Sequence, residues 1–474
     1  MKKFYTTVCL VVFISQLNFA QLPTPTKQQL VWHDMEFYLF THFGPNTFND
    51  KEWGEGTEKE EIFNPTNLDC MQWCKVAKAA GAKGIIITAK HHDGFCLWPS
   101  KFSKHTVRES KWKNGKGDVL KELAAACKAY GLKFGVYLSP WDRNHPDYGT
   151  PKYNTVFVKM MTEIFKNYSP IWELWWDGAN GEGPNGKKQI YDWDRFKKTV
   201  KKLSPNTVVF SDIGPQIRWV GNEKGFAGTT NYNTLDTAGF SAGLGAPPVD
   251  TLNRGNVNGK IWIPAECDVS IRPGWFYHKE EDDKVRKPEE LFALYLKSVG
   301  RGSTLLLNVP PDRTGQIHEN DSTALIGFKK LRDENFKNNL CKNAEANIVS
   351  GINFKKATFL NDNNSNTFIK VDDIVKDKIQ IHFKTPVQIN CVVLKEFIKE
   401  GQSVEKFSIQ ILSKDNMEKF TQTTIGHKRI ITFLEREATD IFISILESKQ
   451  AVKISEIGAY LINENLVEKE EVVK

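Results

Sequence analysis

The chain has no CxxC pair, no basic stripe, no tryptophan after Trp275 and no apolar run long enough to cross a bilayer, the short one at 8–14 included. Each absence removes a class of function. Eight cysteines stand at scattered spacings, and Cys9 falls within a leader-like segment, so seven would remain after cleavage. An odd number cannot all pair, and no disulfide framework is expected. Cys70 and Cys74, one helical turn apart, read as small buried apolar residues rather than metal ligands. A membrane span needs about 18 or more apolar residues, and no internal segment approaches that length. The formal net charge of +7 is modest, with Lys and Glu interspersed, which describes a solvated surface and not a nucleic-acid footprint. No nucleic-acid partner and no membrane span are therefore expected.

What remains is a globular composition, 40% hydrophobic and 26% charged, in 474 residues. That length is too great for one ordinary core and implies two or three domains, or a large barrel with an appendage. Lys2 and Lys3, the apolar run 8–14 and the small Ala20 compose a signal peptide over residues 1–20, so the mature chain is expected to be periplasmic or secreted. The acidic run at Glu468, Glu470 and Glu471 reads as a frayed tail.

All 13 tryptophans lie between Trp32 and Trp275, a composition break that separates two kinds of domain. In the first, expected over residues 21–340, short continuous apolar runs alternate with amphipathic stretches. The runs are 37–43, 83–88, 134–138, 171–176, 207–210, 261–264 and 304–307; the helical stretches are 70–80, 118–130, 153–168, 193–203 and 288–299. Continuous apolar strands between amphipathic helices mean a parallel sheet covered on both faces. No nucleotide-binding glycine motif directly follows a strand, which argues against a doubly wound sheet. Polar and aromatic residues instead gather past the carboxyl ends of successive strands, where a (β/α)₈ barrel builds its active site. The expected fold is thus α/β: a (β/α)₈-like, TIM-type barrel. From about residue 347 the pattern alternates in strand fashion, as in 378–383, 390–394, 407–411 and 441–446, and residues 341–474 are expected to form an antiparallel β-sandwich. Its 360–368 stretch and closing 454–461 strand loosely resemble a discoidin-like carbohydrate-binding domain.

Two carboxylates stand out as chemistry. Asp177 follows ELWW at the end of the fourth run, where large aromatics would exclude water and pack on a sugar ring; the alternative is an Asp that merely caps the next loop. Glu223 lies in the Gly-rich RWVGNEKG after the fifth run, where a solvated surface Glu is the default. Retaining glycoside hydrolysis needs two such groups about 5–5.5 Å apart. Glu266, in PAECD at the end of the sixth run, competes with Glu223. His42, His91 and His92 fall at or past the ends of the first two runs. They could be metal ligands, but adjacent residues of an extended segment point oppositely, and hydrogen bonding to sugar hydroxyls fits imidazole better. Glu52 with Trp53, Tyr137, Trp141 and Trp275 complete the aromatic and polar inventory.

The ordered segments FYLFTHFGPNTFNDKEWG, ITAKHHDGFCLWPS, GVYLSPWDR, ELWWDGANG, DIGPQIRWVGNE and RPGWFYH resemble the successive site motifs of glycoside hydrolase family 29, the α-L-fucosidases. The WWDGANG and RWVGNE variants resemble the branch acting on terminal α1,3- and α1,4-linked fucose of branched, Lewis-type glycans. The resemblance implies a retaining double displacement with Asp177 as nucleophile and Glu223 as acid/base. It also implies a fucose pocket made by His42, Glu52, Trp53, His91, His92, Tyr137 and Trp275, a fucosylated oligosaccharide as partner, and no cofactor or metal. Asp192 and Trp193 are expected near a neighbouring galactose. Two other readings stay open: a non-catalytic receptor for fucosylated glycans on the same barrel, separated by a substrate assay, and a metal-dependent hydrolase, separated by sensitivity to chelators.

Overall fold

The computed structural model describes residues 22–240, 245–362, 364–414 and 416–467. The leader expected over 1–20 and the acidic tail from 468 onward lie outside the described residues. Eight parallel strands close into a barrel: β1 (Phe37–Thr41), β2 (Gly84–Lys90), β3 (Lys133–Leu138), β4 (Glu173–Trp175), β5 (Val208–Ser211), β6 (Ile217–Trp219), β7 (Ala265–Ser270) and β8 (Thr304–Asn308), with each strand beside its sequence neighbour and β8 closing on β1. The expected (β/α)₈-like fold is therefore present. Its strands read as unbroken apolar runs because both faces are buried. Leu39, Ile85, Val136 and Leu305 pack outward against the helices, whereas Tyr38, Phe40, Tyr137, Trp175 and Phe210 fill the interior.

The helices follow their local signals. Val119–Tyr130 begins where the Asp118 carboxylate accepts from the Lys121 amide at 2.9 Å and ends at Gly131 in the left-handed region. Pro151–Tyr168 and Pro288–Lys297 each start on a proline, whose missing N–H costs nothing at that position.

Two strand assignments need correction. The run 261–264 is not a barrel strand: Ile261–Trp262 pairs antiparallel with Thr234–Leu235, and the barrel strand is the next segment, β7. That strand escaped detection because it carries Glu266 and Asp268 inward, so it does not read as apolar. The eighth strand is β6, three residues joined to β5 by a five-residue crossover with no helix. Glu223 accordingly follows the sixth strand, not the fifth. A glycine spacing that fits a nucleotide loop, Gly181, Gly183 and Gly186, lies well before the helix that starts at Trp193 and touches no helix N-terminus.

Within β6, Arg218 is fully buried and donates to the carbonyls of Leu252 (2.8 Å), Tyr232 (3.0 Å) and Ile263 and to Asn231 Oδ1 (3.1 Å). One guanidinium thereby ties the irregular 220–264 segment to the barrel wall. After the helix Glu319–Asn335 the chain enters an antiparallel domain, in which two long strands, Asp377–Glu396 and Arg429–Ser448, pair with each other through register shifts and bend around a core of isoleucines, valines and phenylalanines. This domain packs on the barrel: Thr424 Oγ1 accepts from Asn231 N (2.9 Å), Gln402 Oε1 from Asn233 N (2.8 Å), and Arg429 donates to Thr229 O (2.7 Å). All seven described cysteines are buried and unpaired, with Cys74 and Cys127 sulfurs 3.7 Å apart. No described helix is long and apolar enough to cross a membrane. Arg218→Leu strands several buried carbonyls, each costing about 1–3 kcal/mol. It should lower stability by about 3 kcal/mol or more, read as an earlier urea midpoint; a change under ~1 kcal/mol would remove Arg218 as the tie.

Candidate active site

At the carboxyl-terminal mouth of the barrel a cavity of about 150 Å³ is lined by Phe40, His42, Glu52, Trp53, His91, His92, Tyr137, Trp175, Asp177, Ala179, Glu223, Asp268 and Trp275. It is small beside the roughly 300–1,000 Å³ clefts that take drug-sized ligands, a size that suits a single sugar ring. Asp177, Glu223 and the seven pocket residues that the family resemblance implied all line the cavity, whereas Trp141 does not. Asp177 leaves the end of β4 and is held by both oxygens: Oδ1 accepts from the Ala179 amide (2.8 Å) and Oδ2 from the Tyr137 hydroxyl (3.0 Å). Gly178 can only be glycine, since a Cβ there would stand 2.0 Å from Asp212 Oδ2. Burial and the Asp177 charge push the Asp212 carboxyl up to about 6.

The three histidines are neutral hydrogen-bonding groups, because burial lowers each one's pKa: His42 to about 3, His92 to about 4 and His91 well below its usual value. Their tautomers follow from their partners. Asn308 Nδ2 donates to the Trp275 carbonyl (2.7 Å), so its Oδ1 accepts from His42 Nδ1 (2.8 Å). Ser139 Oγ donates to the Trp141 carbonyl (2.9 Å) and accepts from His92 Nδ1 (2.8 Å). His92 Nε2 is then an acceptor lying 3.7 Å from Asp177 Oδ2, with no proton between them. A sugar hydroxyl is the donor that such a pair of acceptors lacks.

Two expectations change here. His91 and His92 do not point apart: their rings lie 4.2 Å from each other and both face the cavity, because they sit in the turn after β2 and not in extended backbone. Glu52 is largely committed within the protein, its carboxylate accepting from the amides of Trp275 (2.7 Å) and Phe276 (3.0 Å) and meeting His278 Nε2 (2.7 Å). Trp53 is 56% exposed at the rim, edge-on to His92 and Trp141.

Glu223, exposed at the rim, hangs into the mouth from the loop after β6 and accepts from the Trp275 indole N–H at 3.3 Å. Its pKa is raised from the ordinary value by burial and by the charges of Asp177 and Glu52, against the opposing Trp275 hydrogen bond. Glu266 is elsewhere: it is fully buried inside the barrel, bonded by the Tyr38 hydroxyl and by the Trp175 indole (2.8 Å), and does not line the cavity. The side chain of that strand which reaches the cavity is Asp268, two residues on, whose Oδ1 accepts from the Trp219 indole (2.9 Å) and whose carboxyl is pushed well up by burial. Period-two alternation from Glu266 would have found Asp268 had the strand been recognised. Asp192 caps the helix Trp193–Leu203 and Trp193 is buried against Trp176, so neither reaches the cavity. Among the described residues no group of three or more His, Cys, Asp or Glu could hold a metal ion.

A closed parallel barrel with aromatics and carboxyls around a one-sugar cavity at its carboxyl-terminal mouth defines a glycoside hydrolase. A family model described as Alpha-L-fucosidase matches residues 24–330, and the chain belongs to this family, glycoside hydrolase family 29; it is an α-L-fucosidase. Alpha-L-fucosidase 1 of Arabidopsis thaliana is 38% identical over 93% of this chain and 88% of its own length. A glycoside hydrolase 29 family member from an unknown rumen bacterium is 40% identical with a TM-score of 0.83, covering 94% of this chain and 78% of that one. The Ruminococcus gnavus GH29 fucosidase, solved in complex with fucose, is 30% identical with a TM-score of 0.84, covering 94% and 96%. Asn308→Leu should free the His42 ring and the Trp275 carbonyl, lowering kcat/KM on an aryl α-L-fucoside by about 10–100-fold, the equivalent of ~1.4–2.8 kcal/mol; a loss under twofold would show that Asn308 does not orient His42.

Proposed function

We propose that this α-L-fucosidase is a retaining exo-enzyme, delivered to the periplasm or exterior by its leader, that removes terminal α1,3- and α1,4-linked fucose from branched, Lewis-type glycans. The observation that carries the mechanism is that Asp177 and Glu223 line one monosaccharide-sized cavity from different walls. Asp177 attacks the anomeric carbon as the bond to the leaving oxygen breaks, and Glu223 transfers its proton to that oxygen. A covalent fucosyl ester and the freed glycan result. Glu223, now ionised, takes a proton from water as the water attacks the ester carbon, releasing fucose with its original configuration and restoring both carboxyls. Tyr137 and Ala179 hold the attacking carboxylate, and the neutral imidazoles with Trp275 clasp the ring.

The raised pKa of Glu223 sets the sign of the pH dependence. The acid form is present below that pKa and is lost as pH rises through it, so the first step fails on the alkaline side. Once Asp177 is esterified its charge no longer raises Glu223, which suits the group to act next as a base. A bell-shaped kcat/KM profile on the acidic side of neutral is expected; a profile flat from about pH 4 to 8 would exclude Glu223 as the titrating acid.

Nucleophile and acid separate by chemical rescue. Asp177→Gly should cost at least ~10³-fold in kcat and, with azide, give the β-fucosyl azide. Glu223→Gly with azide should give the α-azide, because its covalent intermediate still forms; the opposite anomers would reverse the roles. The linkage preference is checked by comparing a Lewis-type trisaccharide, an α1,2-fucoside and an aryl fucoside. Preference for the first is expected, and equal turnover rejects the branch assignment.

A further inference from the structure

His278 stands behind the cavity wall, with its Nδ1 2.7 Å from Asp50 Oδ1 and its Nε2 2.7 Å from Glu52 Oε1. A neutral imidazole carries one N–H and can satisfy only one of these carboxylates; both contacts are hydrogen bonds only if the ring is doubly protonated. Glu52 in turn accepts from the amides of Trp275 and Phe276, and the Trp275 indole donates to Glu223. Gly274 leaves the space for this arrangement: a Cβ there would stand 2.7 Å from Glu52 Oε1 and 2.9 Å from His278 Cδ2.

We infer that His278 is a positioning residue of the active site: as an imidazolium bridging Asp50 and Glu52, it clasps the 50–53 loop to the 274–278 loop, seats Trp275 over the cavity and thereby orients the carboxyl of Glu223. The inference rests on the proposed acid/base role of Glu223. The charged groups around the clasp are Asp50 and Glu52 in contact with the ring and Arg313, 3.6 Å from Asp50. Arg272 lies at the His278 carbonyl (3.5 Å), and Glu281 accepts from the Gly274 amide (3.1 Å). Partial burial alone would lower the His278 pKa, but the hydrogen bonds and charges of Glu52 and Asp50 outweigh it and raise the value above that of an ordinary imidazole. The clasp is therefore complete below that raised pKa and opens as pH rises through it. This loss is separate from, and added to, the deprotonation of Glu223.

His278→Gln keeps one donor and loses the charge. On an aryl fucoside the wild-type to His278→Gln ratio of kcat/KM should be about 10-fold near pH 5 and shrink to within about twofold by pH 9, where the wild-type ring is itself neutral. Gly274→Ala, which presses on the same contact without touching the ring's charge, should lower kcat/KM at low pH in the same direction. A ratio that stays constant with pH, or no loss at all, would reduce His278 to a structural residue and overturn the inference. A second readout needs no catalysis: the Trp275 indole N–H resonance, assigned by its loss in Trp275→Phe, should shift with a midpoint above ~6.5 in the wild type and show no such step in His278→Gln. If the wild type released no fucose, the proposed function would fall, while this titration would still decide the clasp; a step persisting in His278→Gln overturns it.

Discussion

Trp175 is the partition on which the rest of the barrel depends. Its ring stacks on Phe210 at 4.0 Å and 9°, faces Tyr137 at 5.3 Å, and donates its indole N–H to Glu266 below. Above it lies the sugar cavity; beneath it two carboxyls, Glu173 and Glu266, are sealed inside the barrel. Burial pushes both upward, because two adjacent carboxylates without a cation cannot both ionise in a low-dielectric interior. The Tyr38 hydroxyl and the Trp175 indole complete the hydrogen bonding of Glu266. The same contact that satisfies a buried acid therefore fixes the height of the cavity floor. A barrel floored by aliphatic side chains would pack as well but would offer no polar anchor for the ring that floors the cavity.

Above the partition, the site is arranged to keep charge scarce. Three histidines lie against the cavity, yet burial holds them neutral, so they do not pair with Asp177 and quench it. Had His92 been protonated, its Nε2 at 3.7 Å would form an ion pair with the Asp177 carboxylate and weaken it in the nucleophilic role proposed for it. The network instead spends the His92 proton on Ser139, away from the cavity. Tyr137, whose hydroxyl points at Asp177, is also kept from ionising by burial and by that neighbouring charge.

Much of this was legible in the residues, and the failures share one cause. Continuous apolar runs with capped helices between them located β1 to β5 and β8, because strands buried on both faces leave that mark. The segments that failed, β6 and β7, are those that bury polar side chains: Arg218 on the outer face of β6 beneath the 220–264 segment, and Glu266 and Asp268 on the inner face of β7. A polar group buried in a barrel is satisfied by partners distant in sequence, and no local pattern announces them. The position of Glu223 was readable from its motif, yet its strand was miscounted for that reason. Likewise, the role of Glu52 could not be read locally, since the amides it holds lie at positions 275 and 276. The histidine pair misled in the opposite way: period-two alternation is a property of extended backbone, and the turn closed by the Gly94 amide on the His91 carbonyl suspends it.

The placement of Glu223 on a loop suits the acid/base role proposed for it. A nucleophile needs one orientation and gains from a strand end; a group that gives a proton to a bulky glycan and then takes one from water needs partial exposure. A loop permits that, but mobility would smear the geometry. The chain limits it from within and without. Asn222 folds the loop on itself, accepting from Lys224 N at 3.0 Å and donating to Phe226 O at 3.1 Å, and Gly225 takes a left-handed conformation where a Cβ would press on Val269. Further along, Arg301 holds the Ala227 carbonyl, and the C-terminal domain grips residues 229–233 through Thr424, Gln402 and Arg429. The second domain lines none of the cavity, yet it fixes the far end of the segment that carries Glu223 and so limits how far that loop can swing away from Asp177.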